Sequence, residues 1–412
     1  MKLIYKIRHK VREKIFKISE WRFKKNLEKN FETFEKNFKE NLEKRRNLSI
    51  RLDLTNQCNL KCSYCHHNLP QLPDIPPKKL TKKDIEFILK DTGQYVDWIM
   101  LSCGHEPLVS NDFSEIVKFI SDKHPHIKIN FCTNAMLLNE EIRRLIVENQ
   151  VHALIFSMDG ITKETYERIR SGGKFEKVVG NILALKQLKD KMTTIFPVVN
   201  LTFVIMNSNI SEAPSFIKVC KSLGINHISF QHVVETAHLD LNRETLFNYK
   251  AKFNYYRKKI IEKAEEYKTS ILIPKEFITN DIWLPEKNEK ISIEEILSVK
   301  PDENRSTENL NIIKKENITK ENILLDRLNP FCKLSFNEIM IIEQEFIKPC
   351  PFLAGPPLGN LKDKKPLLEI FFGEEFKKVR KNMFKKDGDH RCKDCPIKNS
   401  YLPNEKDLKN HF

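Results

Sequence analysis

No apolar run in the sequence is long enough to span a bilayer. The opening residues, MKLIYKIRHKVREKIF, break every apolar stretch with charge. They contain neither a signal-peptide core nor a small-residue cleavage site. A secreted or membrane-spanning protein is therefore not expected, and a cytoplasmic location is. Acidic residues are scarce at the same end: residues 1–46 hold 16 Lys and Arg against 7 Glu, a surplus of nine within the chain's net +15. A body that binds a polyanion would be basic throughout, so no specific nucleic acid is expected. A basic end points instead to an anionic membrane surface or a partner.

What is present suits one large α/β domain with appendages: 412 residues, 40% of them hydrophobic. Leu27, Phe31, Phe34, Phe38 and Leu42 recur at helical spacing. So do Ile4, Ile7, Val11, Ile15, Ile18 and Trp21, with Lys and Arg between them. Residues 1–22 therefore read as a basic amphipathic helix suited to an anionic surface. For 27–42 an ordinary amphipathic helix packed on the barrel, or on a second copy of the chain, is expected. Alternating or apolar runs at 48–54, 96–102, 127–132, 152–157, 198–206 and 225–231 read as strands, with helical patterns between them. Thr81 and Asp84 resemble a capping box ahead of Ile85, Ile88 and Leu89. Six such βα units predict a parallel sheet closed, or nearly closed, into a barrel. Residues 243–267 read as a long basic helix, and 285–328, rich in Lys, Glu and Asn, as a linker. The expected division is an amphipathic extension at 1–47, a core at 48–242, a helix and charged linker at 243–327, and a small module at 328–412.

The ten cysteines fall mostly in tight groups, which suggests metal ligation in a reducing compartment rather than disulfides. Cys58, Cys62 and Cys65 follow the first strand with three and two residues between them. Three thiolates on one loop can hold three irons of a four-iron cube and leave one iron open. A zinc site completed by His66 or His67 is the alternative. Cys332, Cys350, Cys392 and Cys395 form a second set, and four thiolates complete either a cube or a zinc ion. Cys103, Cys132 and Cys220 read as small buried residues.

The first cluster, with an aromatic Tyr64 before its third cysteine, resembles the radical S-adenosylmethionine (radical SAM) superfamily. Further motifs follow in order. Ser102-Cys103-Gly104-His105-Glu106-Pro107 stands for the family's Gly-Gly-Glu-Pro, with His105 replacing the second glycine. Thr133-Asn134-Ala135 stands for Thr-Asn-Gly, and Ser157-Met158-Asp159-Gly160 for Ser-Leu-Asp-Gly. Arg168 to Phe175 matches a segment rich in Arg and Gly. The resemblance covers about residues 48–235. It implies a partial (βα)6 TIM-like barrel of the radical SAM type, to which the N-terminal amphipathic helix and a small C-terminal iron–sulfur module are added. It also implies that S-adenosylmethionine is held by Tyr64, Gly104, Glu106, Asn134, Ser157 and Arg170, with the Glu106 loop accepting from its ammonium group.

The second cysteine set resembles the SPASM/Twitch extension of that superfamily, here limited to one auxiliary [4Fe–4S] cluster that passes electrons. The implied chemistry is reductive cleavage of S-adenosylmethionine to a 5′-deoxyadenosyl radical, driven by a low-potential donor such as flavodoxin or ferredoxin. Hydrogen abstraction from a sugar, cyclitol or related small molecule, ending in a two-electron oxidation, is the first expectation. Modification of a peptide or protein side chain and a non-catalytic iron–sulfur carrier are the alternatives. Gln231 and His232, at the end of the sixth strand, are expected to point into the substrate pocket.

Overall fold

In Val198–Ile205, VVNLTFVI, every second side chain is buried and the others are half-buried. This is the period-two pattern of a strand between two unlike faces. The computed structural model describes residues 31–44, 46–65, 67, 76–102, 104–225, 227–233, 239–284, 337–350, 353–383 and 389–392. The strands among them are β1 (Leu48–Leu52), β2 (Lys61–Cys62), β3 (Val96–Met100), β4 (Lys128–Thr133), β5 (Ala153–Ser157), β6 (Arg170–Ser171), β7 (Val198–Ile205), β8 (His227–His232), β9 (Ser270–Leu272), β10 (Glu338–Ile342), β11 (Phe346–Lys348) and β12 (Gly359–Asn360). The helices are α1 (Phe31–Lys44), α2 (Lys82–Thr92), α3 (Phe113–Lys123), α4 (Glu140–Glu148), α5 (Lys163–Ile169), α6 (Phe175–Lys191), α7 (Ala213–Ser222), α8 (Lys250–Glu266), α9 (Leu367–Phe371) and α10 (Glu374–Asn382). The six strands expected from sequence are β1, β3, β4, β5, β7 and β8, each within two residues at either end.

The chain gathers into two compact units. In the unit built from 52–86 and 98–305, the strands run β3-β4-β5-β7-β8-β9 and every neighbouring pair is parallel. One face of this sheet presents Phe131, Leu154, Phe156, Leu201, Phe203 and Phe230, each no more than 1% exposed. Helices cover that face: Phe113 of α3 meets Phe131 edge-on at 5.1 Å, and Phe216 of α7 meets Phe203 at 4.8 Å. Each buried ring contributes roughly 1.5–3 kcal/mol. The opposite face carries Asn130, Ile155, Ser157, Asn200, Thr202, Ser229 and Gln231, all half-buried or exposed. It is the inner wall of a partial parallel barrel.

Local chemistry starts the helices. Thr81 Oγ1 and its backbone N–H both donate to Asp84 Oδ2, at 2.7 and 2.8 Å, so the expected capping box forms with Asp as its acid. Asn139 caps α4 by accepting from Ile142 N at 2.9 Å. The helix expected over 243–267 begins only at Lys250. Before it, Glu244 spends its carbonyl on Asn207 N and its carboxylate on Ser208 N, bonds a helix would have to break.

In the other unit, built from the described parts of 1–51, 87–97 and 306–412, the order is β12-β11-β10-β1. β10, β11 and β12 pair antiparallel. The helical stripe read over 27–42 is present from Phe31 onward, with Phe31, Phe38 and Leu42 buried. Phe38 packs on Phe371 and Phe372, with ring centroids at 6.2 and 5.9 Å. The basic stripe of residues 1–22 and the linker at 285–327 lie outside the described residues, as do Cys103, Cys332 and Cys395. Among the described residues, no helix is long and apolar enough to cross a membrane.

Candidate active site

Cys58, Cys62 and Cys65 lie on the loop that includes β2. Its shape is fixed by backbone bonds: Cys65 N donates to Cys62 O at 3.1 Å, and Ser63 N to Ile169 O at 2.8 Å. β2 pairs antiparallel with β6, which sets Cys62 opposite Arg170. Burial pushes all three thiols up, and each feels the charge of at least one of the others. N–H groups address all three sulfurs, the backbone of His67 reaching Cys65. Leu60 N lies 3.5 Å from Cys58 Sγ, Asn134 Nδ2 4.0 Å from the same atom, and Arg170 Nη1 3.9 Å from Cys62 Sγ. Such donors favour thiolate over thiol.

Of the histidines that could complete a zinc site, His66 lies outside the described residues. Three thiolates spread over separate irons of a cube suit this loop, and a [4Fe–4S] cluster fits the donor set.

Behind the loop is a buried polar knot. Tyr64 donates its hydroxyl to Asp159 Oδ2 at 2.8 Å and accepts from Arg170 Nη2 at 2.9 Å. Arg170 Nε lies 2.7 Å from the same carboxylate oxygen, an ion pair at 7% and 0% side-chain exposure. Asp159 Oδ1 accepts from Val204 N at 2.8 Å. Asn209, fully buried, donates to Asp159 O and Val204 O. Asp159 therefore joins the cysteine loop, β7 and the strand that carries Arg170. Its role was missed in the sequence, although it stands in the Ser157–Gly160 motif.

Glu106 is buried at 2% exposure. Oε1 accepts from Thr133 Oγ1 at 2.7 Å and Leu108 N at 3.2 Å, and Oε2 from Asn134 N at 2.8 Å. Burial raises its pKa to about 7 against the pull of these donors. The carboxylate brackets two loops. Asn134 donates to Asn59 Oδ1 at 2.9 Å, which ties the bracket to the cysteine loop. Asp53, at the end of the first strand run, accepts from Gly104 N at 3.0 Å and His105 N at 3.3 Å. A Cβ on Gly104 would lie 2.4 Å from His67 Nε2, so a side chain there would displace that ring. Ala135, in the place of the family's glycine, takes φ +62°.

Ser157 ends β5 on the inner wall, beside Thr202 in register. Gln231 is exposed on the same wall and donates to Ser229 Oγ at 3.3 Å. His232 does not point there. Neighbouring residues on a strand face opposite ways, and its ring packs against Phe247, Phe253 and Phe277 at 5.2, 4.8 and 5.3 Å. Burial lowers its pKa to about 4. Of the second cysteine set, Cys350 is buried and Cys392 half-buried in the other unit.

Residues 52–220 match the radical SAM superfamily, whose members use a [4Fe–4S] cluster and S-adenosylmethionine. A probable GTP 3′,8-cyclase of Methanocaldococcus jannaschii is 28% identical over 234 residues, covering 56% of this chain and 70% of the relative. The chain spans from about half to 70% of the length of such curated relatives. Among solved structures, Streptococcus suis SuiB bound to S-adenosylmethionine is similar, with a TM-score of 0.57, 13% identity and coverage of 86% of this chain and 71% of SuiB. So is anSMEcpe with bound AdoMet, with a TM-score of 0.53, 19% identity and coverage of 86% and 88%. These likenesses bear on the fold, the partial (βα)6 barrel of radical SAM enzymes.

Proposed function

We propose that the chain holds a [4Fe–4S] cluster on Cys58, Cys62 and Cys65, binds S-adenosylmethionine beside it, and oxidises a neutral polar small molecule such as a sugar or cyclitol. The cluster and S-adenosylmethionine, when bound, supply one-electron cleavage of the sulfonium and a carbon radical that takes a hydrogen atom from substrate. The observation that carries this reading is the thiolate loop with N–H groups of Leu60, Asn134 and Arg170 near two of its sulfurs. Tyr64, Gly104, Asn134, Ser157 and Arg170 are the proposed contacts to S-adenosylmethionine. Glu106 acts by holding the loops of Gly104 and Asn134 together.

The inner wall supports the substrate class. From Asn130 upward its positions on β4, β5, β7 and β8 carry no Lys, Arg, Asp or Glu. Ser157, Thr202 and Ser229 stand side by side on neighbouring strands, about 4.8 Å apart. Hydroxyls and amides at that spacing pair with ring hydroxyls, while these wall positions offer a triphosphate no counter-charge. Peptide modification is the second reading, favoured by the fold neighbour SuiB, whose structure was also solved bound to its precursor peptide SuiA. The proposed external partners are a low-potential donor such as flavodoxin or ferredoxin and, through residues 1–22, an anionic membrane surface.

The test is anaerobic reconstitution followed by reduction in the presence of S-adenosylmethionine. The wild-type chain should release 5′-deoxyadenosine, and a variant with Cys58, Cys62 and Cys65 all changed to Ala should not. Iron-loaded protein that releases none would favour the electron-carrier alternative. Flotation on anionic liposomes at low and high salt, with and without residues 1–22, tests the surface.

A further inference from the structure

α1 and α10 form one network of contacts. Arg380, on α10, is fully buried. Its Nε and Nη2 donate to the two carboxylate oxygens of Glu35 on α1, the second at 3.1 Å, and its Nη1 donates to Phe371 O at 2.9 Å. The guanidinium also lies over Phe38, Phe371 and Phe372, at 5.6, 5.1 and 5.8 Å. Every face of this cation is taken, and α1 supplies its only carboxylate among the described residues. Lys377 and Glu32 add a second link at 2.7 Å.

The same helix leads to a cysteine. Asn382, the last residue of α10, donates to Asp389 Oδ2 at 2.9 Å. Asp389, also fully buried, accepts from Arg391 N, Nε and Nη2 at 3.0, 2.9 and 3.0 Å, and its carbonyl accepts from Cys392 N at 2.9 Å. Arg391 O accepts in turn from Ala354 N at 3.3 Å, four residues after Cys350. The turns bearing both described cysteines of the second set are thus hung from α10, and α10 is fixed by α1.

We propose that α1 is a working part of the second thiolate site: Glu35, through Arg380 and Asn382, positions the turn that carries Cys392. This rests on reading Cys332, Cys350, Cys392 and Cys395 as the ligands of a second cluster. Glu35 and Asn382 are positioning residues. A buried guanidinium that loses its carboxylate has to move or draw in water, and α10 moves with it.

The experiment compares the full-length chain with Glu35→Lys and, independently, Asn382→Ala, all anaerobically reconstituted. Iron and sulfide per chain are measured alongside the first cluster's spectroscopic response to S-adenosylmethionine. The wild-type chain should bind about eight irons. Glu35→Lys should fall to about half of that while the first cluster's response persists, which also shows that its own unit is folded. Should Glu35→Lys not fold, Asn382→Ala, which cuts the chain of contacts further along, decides by the same loss. A folded Glu35→Lys protein that keeps all its iron would overturn the proposal. A wild-type chain with only about four irons would overturn the second-cluster reading on which it rests.

Discussion

Glu106 sits between two opposed demands. Three donors favour its charged form, and full burial favours the neutral one. With its pKa raised from 4.5 to about 7, the group binds its proton more tightly folded than unfolded. Its contribution to stability is therefore present below the unfolded value and lost as pH rises through about 7, by roughly 3 kcal/mol in all. Urea unfolding of the wild type and of Glu106→Gln, at about pH 5 and about pH 8, should show the variant gaining on the wild type by that order. A difference independent of pH would remove the assignment. Asp159→Ala should cost more at any pH, roughly 3–5 kcal/mol, because it leaves Arg170 buried without its carboxylate. Denaturant midpoints check this. The motif made Ser157 and Arg170 legible in the sequence, but not that Asp159 would take up Arg170, since that bond depends on β2 pairing with β6 across more than a hundred residues.

β4, β5 and β7 alternate between more and less buried positions without a fault, whereas β1 and β3 do not and were legible as short runs rich in apolar residues. β2, β6 and β12, at two residues each, are too short to carry a period. β2 and β6 find each other across more than a hundred residues, whereas β10 and β11 form a hairpin. The face of His232 was misread for a related reason. A strand end was taken to imply the wall, but the face follows from parity, and His232 shares the parity of Phe230. The helix-covered face is where truncation should hurt most. Phe203, fully buried between Phe216 and Phe230, should cost about 3–5 kcal/mol on replacement by Ala, measured by chemical denaturation. Gln231→Ala, on the open wall, should change stability by about 0.5 kcal/mol or less.

At the level of the whole molecule, the charge pattern separates two jobs. Basic residues crowd the first 46 positions, while the barrel's inner wall carries none above Asn130. If that wall binds a neutral polyol, Thr202→Val combined with Ser229→Ala removes two hydrogen bonds worth roughly 0.5–1.5 kcal/mol each. The KM for the polyol should then rise about tenfold or more. Iron content and uncoupled release of 5′-deoxyadenosine should stay as in the wild type. An unchanged KM would move the substrate off this wall. The pairing of Glu35 with Arg380 spans 345 positions, and this has a consequence in time. A ribosome adding about 5–20 residues per second makes α1 roughly 20–70 s before α10 exists. The first cysteine loop and its barrel strands have emerged well before the end of synthesis, so iron delivery there can begin on the nascent chain. If the second set also takes iron, α1 can help position Cys392 for it only once α10 has been made.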